Sequence, residues 1–139
     1  MEEQTKVKVV PVSLASRLLS DARGEKYNFD QDVPPVEVID KRVRMFRTWF
    51  SRVEQLLIPV YAHASENSCQ HYTLLLLEKD EAGTVKAKYF DSLSKTHARC
   101  LSNARLFLQL LDLDLGIEQK YNTCKQEGIE CGWFVCHWI

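Results

Sequence analysis

The chain has 139 residues, 45% hydrophobic and 27% charged, with a formal net charge of -1. That length suits a single domain spanning 1–139, with a core that needs neither metal nor disulfide. The near-neutral balance excludes a global field drawing the chain to nucleic acid or to an acidic membrane surface. Cysteines at 69, 100, 124, 131 and 136 match no secreted disulfide framework, the first ten residues lack the apolar stretch of a signal peptide, and no apolar run approaches a membrane span. An intracellular, reducing compartment, nuclear or cytoplasmic, is expected, with free thiols.

In chain order, residues 11–22 open on a proline, carry Leu14, Leu18 and Leu19 at helical spacing and stop at Gly24. A polar connector, 24–35, ends in two prolines. From 36 to 53 the apolar positions Val36, Ile39, Val43, Phe46, Trp49, Phe50 and Val53 recur at three and four, the signature of an amphipathic helix. The basic run on it (Lys41, Arg42, Arg44, Arg47, Arg52), flanked by Asp40 and Glu54, reads as a solvated face. These first 54 residues form a helical N-terminal part.

Residues 55–61 (QLLIPVY) read as a strand whose proline places it at an edge or a strand end. After a loop, HYTLLLLE (71–78) has the continuous apolar run of a strand buried on both faces. KDEAGT supplies a turn, and VKAKYFD (85–91) follows as a strand with Val85, Ala87, Tyr89 and Asp91 on one face. Ser94 is placed to cap a helix running to about 112, with a stripe of His97, Cys100, Leu101, Ala104, Leu108 and Leu111. Residues 117–123 form a short strand, and CGWFVCHWI opens a final helix. That helix is still apolar at Ile139, so either it is the terminus or the chain is truncated there.

Two arrangements carry chemistry. With the 71–78 and 85–91 strands paired around a turn centred near Glu81, His71 and Asp91 lie directly opposite each other. Such pairs stand roughly 4.5–5.5 Å apart at Cβ, close enough for an imidazole N–H to meet a carboxylate that orients it. Cys131 follows a loop containing Gly128 and precedes Gly132. At a helix start the macrodipole favours its thiolate, a neighbouring imidazolium lowers the pKa further, and Gly132 leaves room for a substrate backbone. The Cys131 N–H is then placed to meet a developing oxyanion. Zinc is not expected. Cys131 and Cys136 are five apart, about 140° around a helix, and the spacings of Cys124 and His137 from them miss the usual ligand pairs.

HYTLLLLE resembles the His-Trp-x-Leu strand of SUMO-type, ubiquitin-like-protein-specific cysteine proteases, YFDSL resembles their Asp motif, and QEGIECGWFVCHWI their Gln…Cys-Gly motif. LLIPVY is similar to the Ile-Pro strand that precedes the family histidine, so the likeness covers about residues 55–139 in the family order His, Asp, Gln, Cys. Three motifs in order are specific where each alone is weak. The resemblance implies an α+β, papain-like cysteine protease fold, with an antiparallel sheet packed against the helix bearing the nucleophile. It implies a thiol peptidase that cleaves after the C-terminal Gly-Gly of a ubiquitin-like modifier, SUMO-type, from a precursor or a conjugate. Cys131 would be the nucleophile, His71 the base and Asp91 its orienting partner; no cofactor is implied, and a monomer is expected.

Departures from the family pattern also follow from the resemblance. Tyr72 stands where the family has a tryptophan roofing the Gly-Gly tunnel, and Trp133 is a candidate to line the same cleft. The family glutamine that donates to the oxyanion lies six residues before the cysteine, where this chain has Lys125; Gln126, five before, is the candidate. A non-catalytic modifier-binding relative or truncated pseudoenzyme, or a deubiquitinase or virus-like endopeptidase with the same triad, is an alternative function.

Overall fold

The computed structural model describes residues 7–23, 36–62, 71–91 and 98–121. They form β1 (Val7–Val9), α1 (Val12–Ala22), α2 (Val36–Arg52), β2 (Gln55–Ala62), β3 (His71–Lys79), β4 (Val85–Asp91), α3 (Ala98–Leu110) and β5 (Ile117–Tyr121). The strands make one sheet in sequence order, β1-β2-β3-β4-β5. The architecture is the α+β one expected, with one adjustment. The centre is antiparallel (β2 with β3, β3 with β4), but both edges are parallel, β1 along β2 and β5 along β4. The reason lies in the connections: helices α1 and α2 separate β1 from β2, and α3 separates β4 from β5. A crossover through helices returns the chain to run in the same direction, whereas the tight turn between β3 and β4 reverses it.

The principal core lies on one face of the sheet. Leu56, Ile58 and Val60 of β2, Leu75 and Leu77 of β3, and Ala87 and Tyr89 of β4 pack with Leu18 and Leu19 of α1, Phe46 and Phe50 of α2, and Ala104, Phe107 and Leu108 of α3. Phe46 and Phe107 stack across α2 and α3 with ring centroids 5.7 Å apart, a favoured offset separation. The expected stripe is therefore buried at Phe46, Phe50 and Val53 and half-buried at Trp49, while Val36 at its start is 68% exposed. Most of the basic residues of α2 stay on the solvated face, but Arg42 is half-buried. It pairs with Asp21 of α1, which is buried, whereas Arg47 stays exposed while donating from Nε to the Leu110 carbonyl at 2.8 Å.

Three local signals explain how the strands are placed. Pro59 lies inside β2, but the Leu57 carbonyl accepts from the Val10 N–H at 2.8 Å, so residues 57, 59 and 61 turn their backbone polar groups toward β1. β2 is thus an interior strand rather than the edge strand expected, and Pro59 is accommodated because β1 pairs only as far as Leu57, so among the described residues no strand faces the amide position that Pro59 leaves without a hydrogen. The β3–β4 turn is a three-residue loop: Gly83 N–H bonds to the Asp80 carbonyl at 3.0 Å, and Gly83 has φ +82°. That is the type I turn plus left-handed residue common in hairpins of this length, and glycine fills the position without strain. The Asp80 carboxylate reinforces it by accepting from the Ala82 and Thr84 amides at 2.9 and 2.8 Å. Helix α3 ends in a Schellman arrangement, with Leu113 N–H on the Leu108 carbonyl at 2.9 Å, Asp112 N–H on the Gln109 carbonyl at 3.0 Å, and Asp112 at φ 57°.

Candidate active site

His71 is the first residue of β3 and Asp91 the last of β4, so the two strand ends meet at one end of the sheet. Both side chains point to the helix-covered face, 1% and 2% exposed. His71 Nε2 lies 2.7 Å from Asp91 Oδ1, a charge-assisted contact length. The expected partnership is present, but not by direct opposition. Leu75 pairs with Tyr89 and Leu74 with Phe90, a register that carries Asp91 one step beyond Leu74 and leaves it diagonal to His71. The turn centres on Ala82 rather than Glu81, because Gly83 adds its left-handed residue to the loop. This moves the pairing by two positions. A shift of two preserves the face, where a shift of one would have sent Asp91 to the other side. Diagonal neighbours stand farther apart than opposed ones, within reach of an imidazole and a carboxylate.

Around this pair the face is polar yet dry. Tyr89, two residues before Asp91, lies on the same face and is 1% exposed, with its hydroxyl 3.4 Å from Asp91 Oδ2. Burial pushes the Tyr89 hydroxyl well above its ordinary pKa, and the Asp91 and Cys100 charges act in the same direction; a hydrogen bond with Thr73 opposes them in part. Thr73 is fully buried, 3.5 Å from the Val60 carbonyl. The buried Cys100 thiol of α3 sits 3.6 Å from the His71 carbonyl, which ties the helix to the strand bearing the histidine. One turn on, Asn103 accepts from Arg23 Nη2 at 2.7 Å and donates to the Tyr61 carbonyl at 2.9 Å, linking α1, α3 and β2. The sequence places Tyr89 on the Asp91 face, but only the structure brings Tyr89, Thr73 and Asn103 to the pair. The signal was available for two of them, since each lies two residues along a strand from a member of the pair.

Tyr72 follows His71 and so points to the opposite face, where its ring meets Tyr61 with centroids 4.6 Å apart. Cys131, Gln126, Lys125 and Trp133 lie outside the described residues, as does the Ser94 cap. Among the described residues no three histidine, cysteine or acidic side chains converge as a metal site would require, and no helix is long and apolar enough to cross a membrane.

No protein-family model matches the sequence, and no curated protein matches it either. Solved structures do. The Xanthomonas campestris effector protein XopD, solved bound to ubiquitin, superposes with a TM-score of 0.63 at 17% identity, covering 93% of this chain and 57% of that one. A second Xanthomonas XopD structure gives 0.63 at 13% identity over 93% of this chain and 61% of the other. A de-sumoylating protease gives 0.56 at 18% identity over 96% and 50%. The chain thus spans between half and two thirds of the length of these structures. What it shares with them is the fold, that of ubiquitin-like-protein proteases.

Proposed function

We propose that this chain is a thiol peptidase that cleaves after the C-terminal Gly-Gly of a ubiquitin-like modifier, with Cys131 as nucleophile, His71 as base and Asp91 as the group that orients His71. The observation that carries this reading is the buried 2.7 Å contact between His71 Nε2 and Asp91 Oδ1, formed by strand ends in a fold shared with XopD. Asp91 fixes the tautomer and steadies the imidazolium that forms during turnover. With the carboxylate on Nε2, Nδ1 is the ring atom that exchanges a proton with the thiol.

In the first half-reaction the Cys131 thiolate attacks the glycine carbonyl carbon. The oxyanion is met by the Cys131 N–H and the Gln126 side chain. The C–N bond then breaks as the His71 imidazolium protonates the departing amine, leaving a thioester. In the second, His71 takes a proton from water, the hydroxide displaces sulfur, and the modifier leaves with a free carboxylate. Trp133 supplies aromatic surface to the glycine cleft, whereas Tyr72 is turned to the sheet face away from His71 and Asp91.

The modifier is SUMO-type in the leading form of this proposal. The structure of XopD bound to ubiquitin makes ubiquitin the competing substrate. The test is covalent capture with a panel of ubiquitin-like proteins, each ending in an electrophile, using Cys131→Ala and His71→Ala as controls. An adduct with a SUMO-type probe that disappears in both variants is the expected result. An adduct with ubiquitin alone changes the substrate class. A folded wild type that forms no adduct overturns the enzyme reading in favour of a modifier-binding module.

A further inference from the structure

We propose that Tyr89 is a positioning residue for this site: its hydroxyl holds Asp91 Oδ2 so that Oδ1 is aimed at His71. The inference rests on the peptidase reading above and adds to it a residue outside the triad. The carboxylate of an aspartate turns about a broad, two-fold terminal torsion, so each donor placed on it narrows the plane it takes. Two donors on two oxygens define it. Here His71 Nε2 meets Oδ1 at 2.7 Å and Tyr89 Oη meets Oδ2 at 3.4 Å.

The direction of the second bond follows from chemistry. An ionised carboxylate only accepts, so the tyrosine hydroxyl must donate. Tyr89 and His71 therefore donate to the two oxygens of Asp91, while the Thr73 hydroxyl donates to the Val60 carbonyl at 3.5 Å. All four side chains are nearly or completely buried, so water does not compete for these bonds. Burial also keeps the hydroxyl protonated through the physiological range. Asp91 on its own strand and Cys100 on α3 are the titratable groups that act on it directly, and His71 acts through Asp91.

A purely structural role would ask only for the ring, which packs beneath the helices in the main core. Tyr89→Phe keeps the ring and removes the hydroxyl. The expected result is a thermal midpoint near that of wild type together with a roughly tenfold fall in kcat on a modifier substrate, with KM unchanged. Loss of the donor raises the Asp91 pKa, so the acid limb of the rate profile should move to higher pH.

The proton resonance of the His71 Nε2–H gives a readout independent of turnover, and it should shift in Tyr89→Phe. If the wild type is inert toward every electrophile while that resonance still shifts, the orienting contact stands and the peptidase reading falls. If the wild type reacts and Tyr89→Phe changes neither the acid limb nor the resonance, Tyr89 serves packing alone and the proposal is overturned.

Discussion

The two faces of the sheet are made from alternate residues of the same strands, yet they have been put to different uses. On the helix-covered face, His71, Thr73, Leu75 and Leu77 of β3 are all at most 1% exposed. On the other, Leu57 and Leu74 form a small cluster flanked by half-buried Tyr72, Leu76 and Phe90. The polar groups of the site occupy the better-buried face, at the end where β3 begins and β4 finishes. There the low local dielectric strengthens the His71–Asp91 bond, and dense packing locks both rotamers. A catalytic pair on the half-buried face would keep access to water and lose much of its orientation.

The largest expected effect breaks the pair itself. Asp91→Asn keeps the shape but removes the charge and permits the wrong histidine tautomer; where a carboxylate has this role, turnover falls on the order of 10⁴-fold. Steady-state rates on a modifier substrate, alongside unchanged binding of the modifier to a Cys131→Ala background, would check it. Loss of binding as well would mean that Asp91 supports structure rather than chemistry.

A second prediction contrasts the two faces directly. Leu75→Ala empties a fully buried site in the main core and should cost about 2–5 kcal/mol. Leu76→Ala, one residue along on the half-buried face, should cost about 1 kcal/mol. Urea unfolding midpoints of the pair measure the difference, and equal losses would show that both faces are equally closed.

The smallest effect is a pH slope. The folded pKa of Tyr89 is raised above the unfolded value of 10.0, so its contribution to stability is fully present below that pH and is lost as pH rises toward the folded value. One group gives at most about 1.4 kcal/mol per pH unit. Thermal midpoints taken between neutral and strongly alkaline pH should fall more steeply for wild type than for Tyr89→Phe, and parallel curves would contradict the burial of an ionisable hydroxyl.

How far the chain could be read in advance differs from element to element. The β3 leucine run and the 85–91 strand were legible because hydrophobic pattern and bounding turn residues agree. The short β1 was not. Its three residues alternate with lysine and carry too little pattern to separate from a tail, and only pairing with Gln55–Leu57 makes them a strand. Within α3, Asn103 and Phe107 were left out of the expected stripe although both are buried; a polar residue joins a core only when tertiary partners, here Arg23 and the Tyr61 carbonyl, receive it.

The amino-acid sequence by itself determined which residues form the central strands and helices, and that His71 and Asp91 share a face, because side-chain alternation is a local property of an extended chain. Tertiary structure alone decided the register that makes their contact diagonal, since the left-handed residue at Gly83 sets the turn centre. It also decided the parallel edges, which depend on the path taken by the helical crossovers. The role of the Tyr89 hydroxyl likewise depends on the three-dimensional meeting of β3, β4 and α3, and no spacing along one strand encodes that.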